Sequence, residues 1–282
     1  MSIHIVADST CDLSESLISR FQLTVLPLYV RLGTHEYRDG VDIHSADIFR
    51  FVAANGILPK TAAVSADDFS ACFAEIMHAD PDAEIICITI SAKFSACYQN
   101  ACIAADDNER ITVIDSMNLS TGFGHVVLTA AELAAEGVSR AEIAETLRSE
   151  IIPKVDATFI IDRLDYLHKG GRCSGVAALG ANLLRLKPCI TVTNGEMSVL
   201  KKYRGSFLQC VRSYAADRLA DPDSIRKHRI FITHTAEPEA VEEAANAIRN
   251  AAQFEDIVET QAGCTVSSHC GPNTLGILFI RE

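Results

Sequence analysis

Excess positive charge is what this chain most plainly lacks. Its 25 Lys and Arg face 37 Asp and Glu, a formal net charge of −12. Phosphate backbones are held chiefly by surplus cations, so nucleic acid is excluded as an expected partner. A small anionic ligand would need a local cationic patch, because the long-range field opposes it. Long apolar runs are also missing: no stretch approaches the roughly 20 residues of a membrane span, so at most transient contact with a membrane surface is expected. No low-complexity tract interrupts the 48% hydrophobic and 22% charged residues, which argues against disorder as the carrier of function.

Several catalytic and metal signatures are absent as well. The ten cysteines contain no CxxC, and Cys97–Cys102 and Cys264–Cys270 are not at zinc-ribbon spacing, so no metal is expected and small buried thiols are the plain reading. The opening "MSIHIVADST" has neither a basic nor an apolar leader region, which points to the cytoplasm. Neither a Walker A loop nor a GxSxG elbow occurs.

What is present is alternation. "IHIVAD" (3–8), "LTVLPLYV" (23–30), "AEIICITI" (83–90) and "RITVID" (110–115) predict strands, with helical patterns at 67–78, 95–106, 119–136 and 140–150. Strands alternating with helices favour an α/β fold with a mostly parallel sheet. Beyond residue 154 the pattern changes. A strand (156–162), short helices around Gly170-Gly171, and a hairpin turning at Asn194-Gly195 come first. Helix 206–220, strand 229–233, helix 237–250, strand 255–261 and strand 274–280 follow. The hairpin predicts a mixed sheet, so two α/β domains, 1–154 and 155–282, are expected at this length.

Four stretches join special backbone residues to polar side chains. "PKTAAVS" (59–65) presents Thr61 and Ser65 beside small residues; the plain alternative is a loop leading to a helix cap. "ITISAKFSACYQNA" (88–101) sets Ser91 and Ser95 before a helix N-terminus suited to an anion. "DYLHKGGRCS" (165–174) gives Lys169 and Arg172 around a Gly-Gly turn, an arrangement that also fits a helix C-cap. "VSSHCGPN" (266–273) places His269 at the start of the last strand, where a structural histidine is the simpler reading. Serine and histidine together leave a hydrolase open, although no carboxylate is assigned to orient His269.

At these same stretches, and at "VADSTCDL", "VIDSMNLSTGFG", "LLRLKPCITVTNGE", "YRG" and "HCGPNTLG", the sequence resembles the DegV family. These are bacterial fatty-acid-binding proteins that include the acyl-carrier subunit of fatty acid kinase. The resemblance implies two α/β domains with one long-chain fatty acid between them, the first domain lining the tail pocket and the second supplying a head-group histidine. It implies no catalytic residue, cofactor or metal. Thr61 matches the family's binding threonine and His269 its histidine. Ser91, Ala92 and Ser95 fall on the three serines of the family's "SSxLSGT", so one hydroxyl is lost at Ala92 while its backbone N–H remains.

Phe94 and Cys97 depart from the same pattern and imply an altered chain-length or saturation preference. Asn273 stands where the family has Gly; Asn tolerates the left-handed region better than most residues, so the turn is expected to survive. The implied partner is an ATP-dependent fatty acid kinase that makes the acyl phosphate, with Arg172 and Arg204 as candidate contacts to the kinase or the phosphate, and Lys201 and Lys202 as weaker ones. The alternatives are a serine/histidine lipid or ester hydrolase, a phosphotransfer subunit, and an acyl-chain sensor without a kinase.

Overall fold

The computed structural model describes residues 2–173 and 186–282. Ser174, the short helices expected beyond the Gly-Gly turn, and Leu183 to Arg185 lie outside the described residues.

In the first half, β1 (Ile3–Asp8), β2 (Thr24–Leu26), β6 (Glu84–Thr89) and β7 (Ile111–Asp115) form a parallel sheet in the order β2-β1-β6-β7. β1 and β6 are central, and their near-continuous apolar runs suit strands covered on both faces. The carboxyl ends bring Asp8, Ser91 and Asp115 to one edge, where ligand crevices of open α/β sheets lie.

The run 23–30, expected as one strand, is two. Pro27 separates β2 from β3 (Tyr29–Leu32), which joins β4 (His35–Arg38) and β5 (Lys60–Ala62) in a small antiparallel sheet. A residue without N–H cannot continue a ladder, and the chain changes sheet there. The stretch 59–65, for which a plain loop was one of two readings, contains the strand β5.

The first-half helices are α1 (Glu15–Arg20), α2 (Ser45–Asn55), α3 (Ala66–Ala79), α4 (Cys97–Ala105), α5 (Ser120–Ala135) and α6 (Arg140–Thr146). α6 runs on through a π-helical turn, Leu147–Ile151. Ser65 caps α3 in a reciprocal box with Asp68, so the capping reading of that serine is the one realised.

In the second half β8 (Val155–Ile161), β9 (Leu186–Thr193), β10 (Glu196–Arg204), β11 (Ile225–His234), β12 (Asp256–Gln261) and β13 (Thr274–Arg281) form a mixed sheet in the order β10-β9-β8-β13-β11-β12. Only β11 and β12 pair in parallel. Its helices are α7 (Leu164–Gly170), α8 (Phe207–Arg218), α9 (Pro238–Ala251) and α10 (Cys264–Cys270). α10 corrects the sequence reading: His269 sits in the last turn of a short helix, not at a strand end.

The two halves share one core. Val6, Ile86 and Phe123 belong to the same buried cluster as Phe159, Val192, Met197, Val266 and Leu278. α5 lies between the sheets and is buried on nearly every side from Ser120 to Leu128, as a helix apolar all round must be. Glycine permits the approach: a Cβ at Gly122 would lie 2.9 Å from that of Ala157, and one at Gly124 would lie 2.9 Å from the Cys11 carbonyl.

Candidate functional site

A cavity of about 230 Å3 opens where β5, the α4 N-terminal segment and α10 meet. Its walls come from both halves, with Leu28, Ile90 and Leu119 facing Met197, Val266 and Cys270. A smaller void of about 20 Å3 continues behind Leu119, Val266 and Cys270, toward Phe159 and Leu278.

The polar groups on the cavity wall are few. β5, held against β3 with Thr61 opposite Val30, presents the Thr61 hydroxyl. It shares a 2.9 Å hydrogen bond with His269 Nε2. The imidazole is pressed against α7, since a Cβ on Gly170 would stand 2.5 Å from Nδ1. That Nδ1 is buried without a partner, and so is the Thr265 hydroxyl one turn earlier on the same helix face. Burial, and then the nearby Arg172 guanidinium, push the His269 pKa down to about 4, so the ring is neutral at pH 7.

Ser95 completes the wall: its hydroxyl accepts the N–H of Cys97, the first residue of α4, at 3.3 Å. Arg172 stands at the rim, donating to the Gly170 carbonyl at 2.7 Å and the Phe94 carbonyl at 3.5 Å. Gly171, in the left-handed region at φ +71, ends α7, so cap and cationic rim coexist.

The structure thus brings together Thr61, Ser95, Arg172 and His269. It places Ser91, Ala92 and Arg204 elsewhere. The Ser91 hydroxyl, fully buried, donates to the Gly195 carbonyl at 2.9 Å and ties the two halves. The Ala92 N–H, expected to remain available, donates to Asp115 at 3.2 Å. Arg204 is exposed on β10, as is Lys202, while Lys201 pairs with Asp217.

Sequence reasoning missed Thr265 and the anchor of α10. Asp39 accepts the N–H groups of Cys264 at 2.7 Å and Thr265 at 2.8 Å, and Asp12 accepts that of Gly263 at 2.9 Å. At the other end Gly271 ends the helix at φ +78, where a Cβ would meet the Tyr166 ring at 2.8 Å. Asn273 adopts φ +54, so the left-handed turn survives the loss of glycine.

For a Ser/His hydrolase, a carboxylate should orient the imidazole through the nitrogen that does not touch the nucleophile. His269 has Thr61 on Nε2 and nothing on Nδ1. Among the described residues no group of His, Cys, Asp and Glu could hold a metal ion, and no helix is long and apolar enough to cross a membrane.

A largely apolar cavity with a few convergent polar groups, set between two α/β units, defines a pocket-bearing α/β protein of two domains. The chain belongs to the DegV family, whose sequence profile matches residues 2–282. It is 36% identical over 288 residues to a DegV domain-containing protein of Clostridium acetobutylicum, covering 99% of each chain. It superimposes with a TM-score of 0.92 on a DegV family protein of Thermus thermophilus described as fatty acid binding, at 30% identity with 100% of each chain covered. A DegV lipid binding protein of Thermotoga maritima matches with a TM-score of 0.88 at 25% identity, over 100% of this chain and 99% of that one.

Proposed function

We propose that this protein binds one long-chain fatty acid and presents its carboxylate to a separate ATP-dependent kinase for conversion to an acyl phosphate. The observation that carries the reading is the cavity itself, lined mostly by apolar side chains, with Thr61, Ser95, Arg172, Thr265 and His269 among its lining residues. Two polar atoms there, His269 Nδ1 and Thr265 Oγ1, are buried and unpartnered. Buried polar groups are costly unless paired, and a carboxylate supplies acceptors.

In this reading Thr61, Ser95 and His269 hold the head group, Thr265 assists, and Ser91 and Ala92 act through the backbone they fix. Residues 1–154 and 155–282 are the two domains, and both contribute to the tail wall. Each buried CH2 contributes about 0.8 kcal/mol, so a long acyl chain gains roughly 10 kcal/mol gross against association costs of ~4–15 kcal/mol. Burial of the tail therefore supplies most of the affinity, and the polar wall fixes orientation. No catalytic residue, cofactor or metal is assigned; catalysis belongs to the kinase, with Arg172 at the rim and the exposed Arg204 as its proposed contacts. The His269 environment, lacking an orienting carboxylate, speaks against the hydrolase alternative.

The test is displacement of a fluorescent fatty acid by unlabelled acids, followed by incubation with ATP and a fatty acid kinase of this family. Saturable displacement weakened by Thr61→Val and by His269→Ala is expected, with acyl phosphate formed only when both proteins are present. Hydrolysis of p-nitrophenyl esters by the protein alone, abolished by His269→Ala, would favour the enzyme instead. Binding without acyl phosphate would leave the acyl-chain sensor.

A further inference from the structure

A second concentration of charge lies away from this cavity. A groove of about 560 Å3 runs between the segment joining the two sheets and the end of β9, and Arg148, Lys154, Arg218 and Arg281 line it. Asp156 is the one carboxylate on the same wall. Four cations and one anion form a local excess of positive charge in a chain whose net charge is −12.

The internal pairing does not exhaust these cations. Asp156 is shared: one oxygen pairs with Arg218, and the other accepts from Arg281 Nε at 2.8 Å and Nη2 at 2.7 Å. The Arg218 side chain is only 10% exposed, and its Nε is buried without a partner. Among the described residues Arg148 hydrogen-bonds only the Val113 carbonyl, at 3.3 Å. Lys154, half-buried, has no ion pair among the described residues. Gathering like charges and burying an unused guanidinium donor are both unfavourable unless an anion completes the set. Thr191, Thr193 and Asn194 add neutral donors along the same wall.

We propose that this groove binds a multiply charged phosphate group. A single carboxylate would answer one cation, whereas a phosphate offers several acceptor oxygens and more than one negative charge to a wall with more cations than carboxylates, and guanidinium forks suit its geometry. The groove shares Val192 with the small void behind the apolar cavity, so the phosphate site lies against the outer wall of that cavity's far end. The phosphate could be free in solution or carried on a lipid headgroup; the cations recognise the same oxygens. The proposal does not depend on what occupies the apolar cavity.

The test uses the full chain, titrated calorimetrically with inorganic pyrophosphate and, separately, sedimented with phosphatidylglycerol or phosphatidylcholine vesicles. Arg148→Gln, Lys154→Gln and the double variant are compared, because neither side chain holds an ion pair and thermal melts can verify folding. Saturable pyrophosphate binding that weakens at least about tenfold in the double variant supports a soluble phosphate. Sedimentation with phosphatidylglycerol alone, lost in the double variant, supports a headgroup. The single variants serve if the double variant unfolds. No saturable binding in either arm, or binding that the substitutions leave unchanged, overturns the site.

Discussion

Asp39 and Cys264 are 225 positions apart, yet the Asp39 carboxylate accepts the Cys264 N–H at 2.7 Å. The same carboxylate takes the Thr265 N–H, and Asp12 takes that of Gly263. The helix carrying Thr265, Val266, His269 and Cys270 into the cavity is therefore hung from two aspartates of the first half. A carboxylate over the free N–H groups of a helix start satisfies donors that have no intrahelical partner.

Asp39→Ala should cost about 1–3 kcal/mol of stability, since it leaves two N–H groups unpaired in a buried place. It should weaken ligand binding although Asp39 is not among the residues lining the cavity. Chemical denaturation and ligand titration of the same variant check both effects, and Asp39→Asn, which keeps one acceptor oxygen but turns an NH2 donor toward the other N–H, should recover only part of each.

Asp12 predicts a pH dependence. Burial pushes its pKa up to about 8, against hydrogen bonds from Ser120 and Gly263, while Asp39 and Asp8 add repulsion. A raised folded pKa means the folded state holds its proton longer, so the stabilisation is complete below the unfolded value and is lost as pH rises toward about 8. His125 and His269 act oppositely, with folded values pushed down to about 3 and about 4 by burial, and their contribution is lost as pH falls below about 6.5. Between pH 6.5 and 8 His228, whose pKa is raised by Glu255 and then Glu132, loses stabilisation in the same sense. That loss is common to Asp12→Asn and the unaltered protein, so their difference reports Asp12, up to about 2 kcal/mol. Melting temperatures of Asp12→Asn and the unaltered protein should diverge over that interval in favour of the variant. Asn at this position keeps the φ +51 backbone accessible.

Gly170→Ala tests the clamp on the imidazole. The new Cβ would lie 2.5 Å from His269 Nδ1, so the ring must shift and its bond to Thr61 through Nε2 is disturbed. Fatty acid affinity should fall about tenfold, the loss expected for one misplaced polar contact, while circular dichroism stays unchanged.

Val266→Ala tests the wall between the 230 Å3 cavity and the 20 Å3 void behind it, because Val266 borders both. Removing two methyl groups joins the spaces. Competition with saturated acids of increasing length should shift severalfold toward the longer ones, since each further CH2 buried contributes about 0.8 kcal/mol.

Much of the fold was legible because its strands are continuous apolar runs: β1 coincides with the expected 3–8, β6 is one residue shorter than expected at each end, and β7 one residue shorter at its start. The hairpin at Asn194-Gly195 followed from turn chemistry, with both residues at positive φ. α2, β4 and β5 were not expected; β4, "HEYR", is largely exposed and carries no alternating pattern. α10 was hidden for the opposite reason. Six of its seven residues are buried, so no amphipathic period marks it, and its N-terminus is capped from a distant segment.

Thr61, Ser95 and His269 came from family likeness, and the fold brings them to one wall. Ser91 bears the same likeness but turns to Gly195, a long-range contact that no local pattern encodes. Thr265 gave no signal because threonine in "CTVSSHC" reads as strand or cap until the helix places it one turn before His269.

Native mass spectrometry of the gently purified protein, repeated with Thr61→Val and His269→Ala, tests the central claim most directly. A mass increment equal to one long-chain fatty acid, retained through purification and diminished in both variants, is the predicted result. A bare chain mass, with no increment after incubation with excess fatty acid, would contradict the account.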